Sequence, residues 1–312
     1  MTLKTIAKIS LVTFAALTAS SSIASEINDS TEVFDRGVLY LTPLFDYPIA
    51  PEEIESFTDK CDWLAENFWT PFDFKSKEAV DQAKLNHAFS VYANTCQYAS
   101  KEKVSAAVDK LMKSIQKNPT LLVQFAKAAE ESIYGPRAEV WIDELYVRIL
   151  KNALASKKFP KSRRPHYEYQ MKLLEGSMTG ATPPAFDFKR PNGDSARYFP
   201  MSTPTIIIFG DPDCDDCRRS RLRMETNVAF TKAVADGRIN VLYIIPDPDE
   251  GWEKKIEGFP KNWTIGASDS VADLYDMRVS PEIYIIDAEG KIADKHVDTL
   301  QAMDKALKIS GK

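Results

Sequence analysis

The chain has 312 residues, with 40 lysines and arginines against 45 aspartates and glutamates, which gives a formal net charge of −5 at pH 7. This acidic balance argues against nucleic acid as a partner, because binding to phosphates needs a basic face. Four cysteines are few for this length, so disulfides are not expected to be the main support of the fold.

The first 24 residues are predicted to be a secretory signal peptide. Lys4 and Lys8 precede an apolar run that ends near residue 19, and this run is too short to cross a bilayer. Ser22 and Ala24 supply small residues where a signal peptidase cuts, so cleavage is expected after Ala24. Removing residues 1–24 takes away two lysines and no acid, which changes the net charge from −5 to −7. The sequence therefore predicts a periplasmic or otherwise exported protein that is soluble after cleavage.

A helical domain is predicted over residues 51–178, after a segment of irregular or extended chain over residues 25–50. The first helix is expected to start after Pro51, which two glutamates follow. It carries an apolar stripe at helical spacing: Ile54, Phe57, Cys61, Leu64 and Phe68. Three dipeptides mark later turns: Asn118-Pro119, Gly135-Pro136 and Phe159-Pro160. Five or six antiparallel helices in a bundle or array are expected.

The composition changes near residue 178, and residues 179–312 are predicted to form an α/β domain. Asn192-Gly193 lies between two short apolar stretches, which predicts a β-hairpin. The runs TPTIIIFG and INVLYIIP are typical of buried central strands. The predicted order is β, β, β, α, β, α, β, β, α, with the first helix continuous or broken near Asn227, the second over SVADLYDM, and a hairpin turning at Gly290. The fold class is therefore α+β overall, an all-α domain followed by an α/β domain with a mixed sheet.

Cys214 and Cys217 form a CxxC motif between a predicted buried strand and a predicted helix. The free N–H groups and the dipole of a helix N-terminus favour an anion. We therefore expect Cys214 to have a lowered thiol pKa and to act as the attacking nucleophile. Cys217 lies one turn further along and is expected to resolve the mixed disulfide.

Two other interpretations of the CxxC motif remain. A static disulfide would close so short a loop that it would add little stability. A metal site would need four ligands for zinc, or two thiolates for copper(I). The sequence contains no second CxxC and no spaced histidine pair, so no metal is predicted. No cofactor is predicted other than the redox-active disulfide itself.

Cys61 and Cys96 lie 35 residues apart in helical sequence. A structural disulfide between them would join two antiparallel helices and contribute roughly 3–4 kcal/mol in the chain-entropy model. They could instead be two buried thiols that act as small apolar core residues, and a second redox site is the third alternative.

The part of the chain that contains the CxxC motif resembles thioredoxin-like thiol–disulfide oxidoreductases of the bacterial envelope, on the TlpA/ResA side of that superfamily. The resemblance covers about residues 180–312 and rests on three stretches: PPAFDF, IIIF followed by DPDCDDC, and VSP followed by EIYIID. It implies that Pro281 is cis and faces the dithiol, and that Ser280 presents its backbone to the substrate. Pro212 and Asp213, which directly precede Cys214, are also expected to bind the substrate. Residues 50–175 resemble the helical domain of unknown function that Bacteroidetes-type secreted members carry.

The chain departs from that family beside the dithiol. Asp213 replaces the usual tryptophan, Ile208 replaces a buried acid of thioredoxins, and Ser220 replaces a glutamate of TlpA-like members. Asp215 and Asp216 are expected to raise the energy of the thiolate by charge repulsion, opposed by three nearby arginines. A destabilised thiolate favours the disulfide, so a reducing rather than an oxidising couple is expected.

Two functions follow as hypotheses. The first is an enzyme, an exported thiol–disulfide oxidoreductase that exchanges disulfides with proteins of the cell envelope through Cys214 and Cys217. Its partners would be protein thiols and disulfides, with a membrane or periplasmic electron donor. The alternative is a redox-inactive thioredoxin-fold binding module whose helical domain recognises a partner.

Overall fold

The structure is a computed structural model that describes residues 42–75 and 80–311, with the backbone of 33–35 and 38–40. The signal peptide expected over residues 1–24 lies outside the described residues. The chain divides into two compact units, residues 1–46 and 47–312. In the first unit, strands β1 (Val33–Asp35) and β2 (Val38–Tyr40) pair in antiparallel fashion.

The second unit begins with helices. In its described residues, six of them precede the sheet: α1 (Phe57–Asn67), α2 (Gln82–Cys96), α3 (Lys101–Ile115), α4 (Pro119–Ile133), α5 (Asp143–Ala155) and α6 (Arg164–Ser177). Polar caps set several of the starts. Asn118 accepts hydrogen bonds from the N–H groups of Thr120 and Leu121 at the head of α4. The packing is staggered, with α2 against α4 and α3 against α5.

The start of α1 differs from the prediction. The helix begins at Phe57, because the side chain of Ser56 accepts the N–H of Asp59 and caps it. Pro51 instead begins a turn in which the N–H of Ile54 donates to the carbonyl of Pro51 (3.2 Å). Ile54 therefore lies outside the helix whose apolar stripe it was expected to begin.

A seven-stranded mixed sheet follows, in the order β4-β3-β7-β6-β5-β8-β9. Its strands are β3 (Phe186–Lys189), β4 (Ser195–Tyr198), β5 (Thr205–Phe209), β6 (Asn240–Ile245), β7 (Thr264–Ala267), β8 (Glu282–Ile286) and β9 (Ile292–Lys295). Strands β5, β6 and β7 are parallel, whereas β8 runs antiparallel to β5. Side chains alternate between two cores. Ile206 and Ile208 enter one, and Ile207 and Phe209 enter the other.

The remaining elements connect the strands. They are α7 (Asp215–Thr226), α8 (Val228–Ala235), α9 (Trp252–Lys255), a 3-10 helix (Asp269–Asp273) and α10 (Thr299–Ser310). The break near Asn227 is confirmed, because its side chain accepts the N–H of Phe230 and caps α8. The hairpins at Asn192-Gly193 and Gly290 are confirmed as β3–β4 and β8–β9.

Two predictions for this domain were wrong. Strand β7 was not predicted, because it has only four residues and contains Gly266. The predicted helix over SVADLYDM is a 3-10 helix at Asp269–Asp273. The α+β class with a mixed sheet is confirmed, while the domain boundary near residue 178 stays a prediction. In the part of the chain that the structure describes, no helix has the length and apolarity needed to cross a membrane.

Candidate functional site

The dithiol lies where the central strand β5 ends. Gly210 continues the strand, and its N–H donates to the carbonyl of Ile244 (3.1 Å). The chain then turns, with the N–H of Cys214 donating to the carbonyl of Asp211 (3.1 Å). This turn places Cys214 as the N-cap of α7, where its sulfur accepts the N–H of Cys217 (3.3 Å). A buried strand followed by a tight turn thus sets Cys214 at the head of a helix.

The two sulfurs have different surroundings. Cys214 is half-buried, whereas the side chain of Cys217 is only 2% exposed. Both are free thiols, so the structure describes the reduced dithiol. A reactant that approaches from solvent therefore meets Cys214 first.

The pKa values of the two thiols move in opposite directions. Burial raises the pKa of Cys214, but hydrogen bonds with the Cys217 thiol and backbone, and with Ser280, outweigh it and hold that pKa below its usual value. Burial and the contact with Cys214 raise the pKa of Cys217 to about 11. A thiolate therefore forms on the accessible sulfur while the buried sulfur keeps its proton, as an attacking and resolving pair requires.

Ser280, which directly precedes Pro281, lies beside the dithiol. The Ser280–Pro281 peptide bond is cis. The hydroxyl of Ser280 lies 3.3 Å from the sulfur of Cys217 and 3.9 Å from that of Cys214. The carbonyl of Ser280 is also 3.9 Å from the sulfur of Cys214. The structure thus brings Ser280 to both cysteines, and the contact of its hydroxyl with both sulfurs was not expected from the sequence.

Pro212 and Asp213 occupy the turn just before Cys214. Pro212 is half-buried and Asp213 is exposed. The N–H of Asp213 donates to the carboxylate of Asp211 (2.8 Å), and the Asp213 carboxylate lies 2.6 Å from the ammonium nitrogen of Lys255. Asp213 therefore sits at the mouth of the site with its charge paired.

Three of the four aspartates around Cys214 are matched by cations. Asp213 pairs with Lys255, Asp215 with Arg218 (2.8 Å), and Asp216 with Arg219. The pKa of Cys214 is lowered, and its causes are hydrogen bonds from neutral groups. The expected net destabilisation of the thiolate is therefore wrong, since the pKa of Cys214 is lowered. Asp215 and Asp216 are each paired with an arginine one turn along the helix.

Sequence reasoning missed the contact between Gly210, Tyr243 and Cys217. Tyr243 lies on β6, and its side chain is 1% exposed. A Cβ atom added to Gly210 would lie 2.6 Å from the Tyr243 hydroxyl and 3.3 Å from the Cys217 sulfur. Only glycine allows the hydroxyl and the sulfur to approach the backbone this closely. Ile208 pairs with Tyr243 across the strands, so a buried phenol stands next to the position at which thioredoxins carry an acid.

The phenol of Tyr243 stays protonated near neutral pH. Burial raises its pKa well above the usual range, and the charges of Cys217 and Cys214 add to the effect. The signal that could have found this group was the glycine directly after the strand, which indicates a close approach to the backbone.

Cys61 and Cys96 lie far along the chain from the dithiol, in α1 and α2. Both are buried and both are free thiols, which corresponds to the second of the three alternatives, two buried thiols in the core. Burial raises the pKa of Cys96 to about 12, against the lowering effect of a hydrogen bond with Tyr92. Their oxidation to a disulfide stays a prediction.

One group of side chains in the described residues could surround a metal ion. The ligand atoms of Asp143, Asp276 and His296 lie within 4.8 Å of one another. The two carboxylates, however, already bind the cations of Arg278 and Lys295 at 2.7 Å. These protein cations occupy the place that a metal would take, so the group does not fit one.

Comparison with known proteins gives the family and the fold. Residues 15–177 match the family described as "Domain of unknown function (DUF5106)". A thioredoxin-like protein from Bacteroides caccae matches with a TM-score of 0.73 and 16% identity, over 86% of this chain and 99% of that one. The C-terminal domain thus has a thioredoxin-like fold, as the resemblance predicted, and the N-terminal domain of unknown function is confirmed.

Two further solved structures match over a smaller part of the chain. A conserved protein of unknown function from Bacteroides fragilis is 29% identical, with a TM-score of 0.39, over 41% of this chain and 98% of that one. The thioredoxin domain of a thiol-disulfide oxidoreductase from Bacteroides vulgatus is 23% identical, with a TM-score of 0.37, over 42% and 96%. No curated protein matched the chain.

Proposed function

The chain belongs to the DUF5106 family, and we propose that it is an exported thiol–disulfide oxidoreductase that acts through Cys214 and Cys217. The observation that carries the proposal is the asymmetry of the two thiols. Cys214 heads a helix, is open to solvent and has a lowered pKa, while Cys217 is buried beneath it with a raised pKa. Such an arrangement suits a pair that attacks and then resolves.

The exchange proceeds in two displacements. The Cys214 thiolate attacks one sulfur of a protein disulfide, the substrate S–S bond breaks, and the departing thiolate takes a proton from water. Cys217 then gives up its proton and attacks the Cys214 sulfur, which releases the second substrate sulfur as a thiol. The substrate disulfide gains two electrons and becomes two thiols, and the Cys214–Cys217 pair becomes a disulfide. An electron donor of the envelope would return the pair to the dithiol.

Reduction of insulin disulfides tests the activity. With dithiothreitol as the final reductant, the wild-type protein is expected to speed the precipitation of the insulin B chain well above dithiothreitol alone. The same chain after alkylation of Cys214 is the control and should give only the background rate. A wild-type rate equal to background would contradict the proposal and favour the alternative, a redox-inactive binding module.

We propose that the protein reduces the disulfides of its substrates. This proposal does not depend on repulsion between the Cys214 thiolate and the neighbouring aspartates. The strongly oxidising DsbA type has a thiol pKa of about 3.5 and a potential of about −120 mV. A lowered thiol pKa stabilises the dithiol, so it moves the potential upward from that of thioredoxin, at about −270 mV, towards that of DsbA. We propose that the couple stays on the reducing side, because hydrogen bonds from neutral groups lower the pKa of Cys214. Equilibration with glutathione buffers, followed by alkylation and mass measurement, gives the potential. A value near −120 mV would reverse the direction and leave the exchange activity standing.

The place of action is proposed from the first 24 residues. We propose that the substrates are protein thiols and disulfides of the cell envelope, supplied by a membrane or periplasmic electron donor. Cell fractionation that recovered the uncleaved chain in the cytoplasm would contradict this part of the proposal.

A further inference from the structure

A buried cluster of charges joins the helical part of residues 47–312 to the segment that carries Ser280 and Pro281. Asp143, at the start of α5, comes from the helices, and the other five members come from the sheet domain: Asp276, Arg278, Glu282, Lys295 and His296. The side chains of Asp276 and Glu282 are 1% and 0% exposed. With His296 protonated, three acids face three cations, so the charges balance.

The cluster is not explained by stability alone. Burying charges is costly, and a buried ion pair is weak support for stability compared with apolar packing. Within the described residues, Asp276 Oδ1 and Arg278 Nε also have no hydrogen-bond partner, which adds to the cost. In some proteins buried charges fix the position of the segments that carry them, and here they surround the segment next to the dithiol.

Arg278 joins the helical part to the sheet domain. On the sheet side it donates to the carboxylate of Asp276 (2.7 Å) and lies 2.8 Å from His296 Nε2. Its guanidinium donates to the carbonyl of Tyr134 (3.1 Å) and to the carboxylate of Asp143 (2.7 Å). Its Cζ atom lies 4.8 Å from the ring centre of Tyr134 and 4.6 Å from that of Trp141. A planar guanidinium can donate along its edge while aromatic rings cover its faces, which a lysine could not do. Arg278 stands two residues before Ser280, so its position limits where Ser280 can lie.

The other flank of the segment is fixed through His296. Glu282, directly after Pro281, accepts hydrogen bonds from His296 Nδ1 (2.6 Å) and from the backbone N–H of His296 (3.1 Å). The ring of His296 lies 4.8 Å from that of Trp141. His296 also has a φ of +54°, a left-handed conformation that residues other than glycine rarely adopt. Such a conformation persists only where the surroundings hold it, and it is often found near functional sites.

We propose that Arg278 is a positioning residue through which Tyr134, Trp141 and Asp143 of the helical part hold Ser280 against Cys214 and Cys217. The proposal rests on the proposed function, since it assigns the helical part a role in the reactivity of the dithiol. The link consists of contacts from the helices to Arg278, two peptide units to Ser280, and the Ser280 hydroxyl beside both sulfurs.

The variant Asp143→Asn tests the proposal at the far end of this link. It keeps the size of the side chain but removes the charge that binds Arg278 and Lys295. If Ser280 loosens, Cys214 loses a hydrogen bond that lowers its pKa. We expect the pKa of Cys214 to rise by about one unit. At a pH below that pKa, the fraction of Cys214 present as thiolate then falls about tenfold, and alkylation slows by the same factor. The rate of iodoacetamide labelling against pH, read by mass spectrometry at Cys214, measures this.

Asp109→Asn is the matched control. Asp109 also pairs with an arginine, Arg148 (2.5 Å), but this pair joins α3 to α5 within the helical part. It should leave the labelling profile of Cys214 unchanged even if it lowers the melting temperature. If Asp143→Asn does not fold, as judged by circular dichroism, Trp141→Leu removes the ring beside Arg278 and should shift the profile in the same direction.

A double variant shows whether the effect passes through Ser280. In a Ser280→Ala background the shift caused by Asp143→Asn should disappear, because the hydroxyl that it displaces is already gone. An unchanged profile in Asp143→Asn, or an equal shift with and without the Ser280 hydroxyl, would overturn the proposal. Labelling of Cys214 does not require catalytic turnover. A wild-type protein that fails to reduce insulin would therefore contradict the proposed function, and the labelling experiment would still test the role of Arg278.

Discussion

Cys217→Ser is expected to accumulate mixed disulfides with the protein's partners, whereas Cys214→Ser is expected to lose all disulfide exchange. Cys214 is the accessible sulfur with the lowered pKa, so without it nothing attacks the substrate. Cys217 is buried beside it, so without it the first displacement occurs and the second does not. The two variants should therefore fail at different steps.

Insulin reduction and non-reducing gels separate the two failures. Both variants should reduce insulin at the background rate, but only Cys217→Ser should yield adducts that dithiothreitol releases. Mass spectrometry of those adducts would name the substrates. Cys96→Ala is the control, because burial raises the pKa of Cys96 to about 12 and leaves almost no thiolate at neutral pH. Adducts that persist in Cys214→Ser, or that require Cys96, would place the reactive sulfur elsewhere.

Much of the sheet domain could be predicted from short patterns. The runs Thr205–Phe209 and Asn240–Ile245 are buried along their whole length, and such runs occur in central parallel strands covered on both faces. The position of Cys214 at a helix head follows from the CxxC motif directly after such a run. Strand β7 escaped prediction because a four-residue segment with a glycine has too little apolar periodicity to be recognised.

The ion pairs around the dithiol could be predicted only in part from the sequence. The sequence displays four acids near Cys214 but not which cations face them. Asp215 and Asp216 meet arginines three residues later in α7, a pairing that helical spacing could have suggested. Asp213 meets Lys255, 42 residues away, and only the tertiary structure brings these two together. Charge counting alone therefore predicted a destabilised thiolate, whereas the pKa of Cys214 is lowered.

The buried cluster around Arg278 was hidden for the same reason. Its members come from the start of α5, the segment before β8, the first residue of β8, and the last residue of β9 with the residue that follows it, and no local motif connects them. His296 appeared in the sequence as an isolated histidine. Only packing gives it two carboxylates, Glu282 and Asp276, as neighbours. Contacts between distant segments thus account for most of what was missed.

Gly210→Ala is expected to lower the exchange rate about tenfold, by displacing groups beneath the dithiol. The added Cβ would lie 2.6 Å from the Tyr243 hydroxyl oxygen, 3.1 Å from Cζ of the same ring and 3.3 Å from the Cys217 sulfur. The ring of Tyr243 is enclosed, so either the ring or the sulfur must shift. Overpacking of this kind costs about 1–3 kcal/mol, and about 1.4 kcal/mol at the reacting groups corresponds to a tenfold loss of rate.

The double variant Gly210→Ala with Tyr243→Phe gives the decisive result. Phenylalanine lacks the hydroxyl that makes the shortest contact, so most of the lost rate and melting temperature should return. Tyr243→Phe alone should change the rate much less than Gly210→Ala, because the phenol stays protonated and takes no part in the displacements. Gly258→Ala is the matched control, since a Cβ there meets nothing within 4 Å. A Gly210→Ala protein with wild-type rate, or a double variant as slow as the single one, would mean that Cys217 does not depend on this close approach.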